Sequence, residues 1–130
     1  MEAKELAMFL ADALNEKKGV DILILDVEAL VGYTSYLVIA SGRSDRQVAA
    51  MADHLERSAR SELGVRTLGT EGAREGLWAL LDFGDVVVHV FQEEERAYRD
   101  LESLWEDAPR VDYEPEGAEY SPGFLTALAH

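Results

Sequence analysis

The chain has 130 residues, with 26 acidic side chains against 12 basic ones, a formal charge of -14 and no cysteine. That length predicts one domain, able to bury about two-thirds of the surface its unfolded chain would expose, so no disulfide or metal staple is required. Excess negative charge repels phosphates unless basic groups are segregated into a patch, and here they are dispersed, the densest pairs being Arg43/Arg46 and Arg57/Arg60; the missing cysteines exclude thiolate catalysis and cysteine zinc sites and fit a reducing compartment.

Leu6, Phe9, Leu10, Ala13 and Leu14 recur at helical spacing, and Gly19 follows as a stop. The N-terminal segment lacks a basic stretch leading into an apolar core, and no apolar run approaches bilayer length. We therefore expect no signal peptide and no membrane span, with a cytoplasmic location as the default. Residues 20 to 27 read as a strand, and the continuous apolar run Tyr36 to Ala40 as another, central and covered on both faces. Ser44 with Gln47 forms a capping-box pattern, after which Val48, Met51, Ala52, Leu55, Ala59 and Leu63 hold one face of a second helix until Gly64. A short strand at Val65 to Leu68 and a loop over Gly69 to Gly76 follow.

Leu77 to Leu81 and Val86 to Phe91 then form a hairpin around Asp82-Phe83-Gly84-Asp85, whose aspartates bond local backbone and whose glycine tolerates positive φ. Beyond it, Ala97, Tyr98, Leu101, Leu104 and Trp105 make a helical stripe. The chain divides into a domain over residues 1–108 and an acidic, proline-containing tail over 109–130, either flexible or docked. The order αββα, three strands and a helical end predicts an α/β fold: a mixed five-stranded sheet with flanking helices, like that of nucleotidyltransferases.

The parts of an enzyme are missing. Asp-Phe-Gly would hold magnesium in a kinase, but no glycine-rich phosphate loop or His-Arg-Asp accompanies it. Ser41-Gly42-Arg43-Ser44 lies at a strand-to-helix turn, where helix amides bind phosphate, yet no Asp-x-Asp strand follows to hold the metal that nucleotidyl transfer requires. His89 reads as a hydrogen-bonded sheet residue, His54 falls on the polar side of the second helix and His130 is terminal, so no metal site is expected. No serine has a histidine at a motif distance. We expect no catalytic residue, metal or cofactor. A residual nucleotide-binding or nucleotidyltransferase-like activity and a homodimeric scaffold are the alternatives.

Lys18 to Ile22, Leu25-Asp26-Val27, Val38 to Ser44, Arg46-Gln47-Val48, Ala52-Asp53-His54, Glu71-Gly72, Trp78, Asp82 to Phe91, Asp100-Leu101-Glu102 and Leu104-Trp105 together resemble the Iojap or ribosomal silencing factor family, RsfS. The resemblance runs in order from about residue 4 to residue 108. It departs at Gly32 to Leu37, where Ser35 stands in place of the family's aspartate, and in the tail after Ala108, which varies or is missing in relatives.

The resemblance implies a nucleotidyltransferase-like fold without catalysis. It implies docking on the large ribosomal subunit, at its fourteenth protein on the face that meets the small subunit. The consequences would be blocked subunit joining, repressed translation when nutrients are scarce, and a part in large-subunit biogenesis. An acidic domain without catalytic parts suits a basic ribosomal protein better than RNA, because complementary fields speed encounter and disfavour wrong partners. Trp78, Phe83 and Tyr98 are the expected contact residues, aligned with the family's tryptophan, turn hydrophobe and helix aromatic and supported by Glu71, Asp82 and Asp85. Phe83, at a turn tip, is expected to project from the fold. For Trp78, which shares a strand face with Leu80, burial in the core is the competing expectation.

Overall fold

The two longest apolar strand runs lie side by side at the centre of the sheet. In the computed structural model, which describes residues 1–128, α1 (Ala3–Glu16) is followed by β1 (Val20–Asp26), β2 (Tyr36–Gly42), α2 (Asp45–Ser58), β3 (Gly69–Glu71), β4 (Trp78–Asp82) and β5 (Val86–Gln92). Three short helices complete the chain, α3 (Glu93–Arg99), α4 (Leu101–Leu104) and α5 (Phe124–Leu128). The strand order is β1-β2-β5-β4-β3, with β2 and β5 parallel and every other pair antiparallel. The parallel pair is buried on both faces, which explains why its residues are apolar without alternation.

On the first face, Ile24, Val38, Val88 and Leu81 pack under α1 through Leu10 and Leu14 and under α2 through Met51 and Leu55. Ser44 caps α2, its Oγ accepting from the Gln47 amide at 3.0 Å, while Gln47 Oε1 accepts from the Arg43 amide at 2.7 Å. The helix extends through a π-helical turn (Ala59–Leu63) to Gly64 in the left-handed region.

Two element boundaries differ from expectation. Residues 65–68 are not a strand, and the third strand is Gly69–Glu71, inside the segment read as a loop. The Val65 amide donates to Ala59 O at 3.0 Å, so the helix end claims that residue; Leu68 N, donating to Asp82 O at 2.7 Å, is where pairing with β4 begins. The helical stripe after the hairpin is two pieces. It breaks at Asp100, whose φ of 49° ends α3, and this leaves Tyr98 and Leu104 exposed while Leu101 and Trp105 pack on the sheet.

The segment 109–128 is docked. It begins antiparallel to β1, where Asp26 N donates to Pro109 O and Val111 N to Ile24 O, and it returns to the strand where Asp21 N donates to Glu119 O. Asp21 sits in a β-bulge with φ of 51°, a conformation that aspartate tolerates better than most residues, and its carboxylate accepts from Ser121 N and Oγ. Tyr113 Oη donates to Asp12 at 2.8 Å; burial first, and then that bond, raise the phenol's pKa.

Candidate functional site

Strand alternation puts Trp78, Leu80 and Asp82 of β4 on the second face of the sheet. They lie across from Phe91, His89 and Val87 of β5, and β3 sets Glu71 beside Leu80 and Gly69 beside Asp82. Exposure rises outward along these rows: the β5 residues are buried, the β4 residues half-buried, and Gly69 and Glu71 exposed. The cover of this face, from Leu101, Trp105, Ala108, Phe124 and Leu128, packs with Leu23, Leu25, Leu37 and Ile39 at the other end of the sheet. The outer half is an apolar surface with an acidic border.

Trp78 is held rigidly at its centre. The indole Nε1 donates to His89 Nδ1 at 3.0 Å, and the ring stacks on Phe91 with centroids 4.9 Å apart. The Arg99 guanidinium lies 5.1 Å from the indole centroid and 5.6 Å from that of Tyr98, so one cation joins the two aromatics. Burial pushes the His89 pKa down to about 4. The imidazole is therefore neutral at pH 7, with its hydrogen on Nε2 and Nδ1 free to accept.

Glu71, Trp78 and Asp82 thus share one face, and Tyr98, 79% exposed, adjoins Trp78 through Arg99. Asp85 is exposed in the β4–β5 turn, where Asp82 Oδ1 also accepts from the Gly84 amide at 2.8 Å. Phe83 does not project. It is 7% exposed and belongs to the core on the opposite face, because the turn folds its ring inward beside Leu81 and Val86. The exposed hydrophobe at this turn is Leu68, which passes beside Gly84. Leu80, Arg99 and Leu68 were missed as site residues. The parity of Leu80 with Trp78 pointed to it, whereas nothing in the local pattern singles out Arg99 or Leu68.

The strand-to-helix turn that resembles a phosphate loop has its polar groups engaged internally. Ser41 is buried and accepts from Arg96 Nη1 at 3.0 Å, Ser44 serves as the helix cap, and the Gln47 amide nitrogen donates to Lys17 O and Lys18 O. His54 Nε2 lies 3.0 Å from Glu16, tying α2 to α1. Among the described residues no three histidine or acidic side chains converge as metal ligands, and no helix is long and apolar enough to cross a membrane. His130 lies outside the described residues.

Comparison with known proteins gives a consistent result. The profile of the RsfS family, described as ribosomal silencing factor during starvation, matches residues 1–123. The ribosomal silencing factor RsfS of Bacillus subtilis (strain 168) is 43% identical over 112 residues, covering 86% of this chain and 94% of its own length. The chloroplastic protein Iojap of Zea mays is 32% identical over 111 residues, 85% of this chain and 48% of the maize protein. A crystal structure of a protein from Chromobacterium violaceum superposes with a TM-score of 0.79 at 38% identity, covering 89% of this chain and 92% of that one.

Proposed function

Because the chain belongs to the ribosomal silencing factor family, RsfS, we propose that it docks on the large ribosomal subunit and, by occupying the surface that meets the small subunit, keeps the two apart and represses translation. The partner is a basic ribosomal protein, the fourteenth of the large subunit, and the action is steric rather than catalytic. The cytoplasm is the compartment in which it works.

The observation that carries this reading is the outer half of the second sheet face, where Trp78 and Leu80 lie half-buried between Glu71, Asp82 and exposed Tyr98. Rigid aromatic anchors supply most of the binding energy in protein interfaces, and acids at the rim set partner choice and encounter rate. An indole already fixed by His89, Phe91 and Arg99 has little conformational freedom left to lose on docking. With a formal charge of -14, the chain is steered toward basic protein and away from exposed rRNA. Phe83, buried in the core of the opposite face, is not part of this surface.

Sedimenting the chain with isolated large and small subunits through sucrose tests the reading. Co-migration with the large subunit alone is expected; a chain that stays at the top of the gradient with both would overturn it.

A further inference from the structure

We propose that the C-terminal segment 109–128 is a displaceable strap, and that the β1 edge it occupies is a docking site for an extended, basic segment of a partner protein. β1 and β3 are opposite edges of the sheet, so this site lies at the other end of the sheet from the docking face described above.

The strap covers the β1 edge incompletely. It bonds to the β1 backbone only near its two ends, through Pro109 and Val111 and again through Glu119; between them it is tied to α1 instead, where Tyr113 Oη donates to Asp12 and Asn15 donates to Glu116 O. A cavity of about 310 Å³ opens there, lined by Ile22, Leu23, Tyr113 and Tyr120. A second, of about 590 Å³, lies between the sheet face and α5, lined by Leu23, Arg96, Trp105 and Phe124. Both spaces open to solvent, so the middle of the β1 edge and the sheet face beside it are only partly covered.

Charge and hydrogen bonding point the same way. The segment carries Asp112, Glu114, Glu116 and Glu119 against Arg110 alone, yet it lies on a chain whose formal charge is -14. The larger cavity is bordered by Glu93, Asp100, Glu102 and Glu106. Arg96, 7% exposed, binds Glu102 through Nε at 2.7 Å and Asp21 O and Ser41 Oγ through Nη1, but its buried Nη2 has no acceptor among the described residues, and the guanidinium carbon lies 5.6 Å from the centroid of the Phe124 ring. A peptide that displaces α5 can offer a main-chain carbonyl to Nη2 and lysine or arginine side chains to the acidic border. Its backbone takes over the bonds to Ile24 O, Asp26 N and Asp21 N, the usual mode of strand addition to a sheet edge.

The test uses the full chain and a fluorescent synthetic peptide with the sequence of residues 109–128, carrying lysine in place of Asp112, Glu114, Glu116 and Glu119. It is expected to bind about tenfold more tightly than the peptide of unaltered sequence, and more tightly still to the Phe124→Ala variant. Hydrogen exchange in the chain's own 109–121 segment should accelerate on binding. A lysine peptide with proline at the position of Val111, unable to donate to Ile24 O, should lose most of its affinity. Equal binding by the proline peptide, or binding that leaves exchange in 109–121 unchanged, would mean adsorption to an acidic surface and would overturn the proposal.

Discussion

Trp78 and His89 are coupled across the β4–β5 ladder: the indole Nε1 donates to the imidazole Nδ1 at 3.0 Å, fixing the orientation of one ring and the tautomer of the other. A residue of the proposed docking face is thereby tied to a buried group of the sheet. Trp78→Phe keeps the stacking on Phe91 but leaves the imidazole without its donor, and should destabilise the fold by about 1–2 kcal/mol. Trp78→Ala should cost about 2–4 kcal/mol and abolish co-sedimentation with the large subunit. Urea unfolding and sedimentation of both variants check these values.

Burial of His89 sets a pH dependence. The His89 pKa is about 4 in the fold against 6.5 in the unfolded chain, so between those values the unfolded state binds more protons. The contribution is complete above pH 6.5 and is lost as pH falls toward 4, at most about 3 kcal/mol. Unfolding free energies at pH 7 and pH 4.5 should converge in the His89→Asn variant by about that difference, relative to the parent chain.

Phe83 reverses an expectation of the sequence. Its ring is in the core on the helix-covered face, so Phe83→Ala should destabilise by about 3–5 kcal/mol, as other large-to-small core changes do. At a temperature where the variant remains folded, its affinity for the large subunit should be close to that of the parent. Thermal unfolding alongside a binding titration separates the two effects.

Glu71 and Asp85 are exposed and free of the turn-capping work that Asp82 does. Replacing both with lysine should change stability by less than about 0.5 kcal/mol and slow association with the large subunit, with a weaker salt response than the parent shows. Stopped-flow association at several ionic strengths measures this.

Gly72 sets the path into β4. Its φ is 75°, and a Cβ there would stand 2.0 Å from Trp78 O. Gly72→Ala should cost about 2–4 kcal/mol and shift the indole, because both the backbone conformation and the space exclude a side chain. Near-ultraviolet circular dichroism of the variant reports the displaced tryptophan.

Much of this architecture was legible in the residues. The continuous apolar run Tyr36 to Ala40 marked a central strand covered on both faces, Leu77 to Leu81 and Val86 to Phe91 marked the hairpin, and Ser44 with Gln47 marked the start of α2; the parallel pairing of β2 with β5 was not legible. Period-two reading put Trp78 with Leu80 and apart from Ala79 and Leu81, as the structure does. The failures are non-local. Whether Phe83 turns inward depends on the space beside Leu81 and Val86, and nothing in Asp-Phe-Gly-Asp carries that information. The strand at Gly69–Glu71 has little strand propensity of its own and exists because β4 offers it an edge. Arg99 meets Trp78 from a different element, a contact that no local pattern encodes.

If the acidic-bordered aromatic face blocks subunit joining, light scattering of large and small subunits mixed with the chain will register it. The parent chain should suppress the rise in scattering, and Leu80→Arg, which sets a positive charge in the middle of that face, should not. Undiminished joining in the presence of the parent chain, or equal suppression by a folded Leu80→Arg variant, would contradict it.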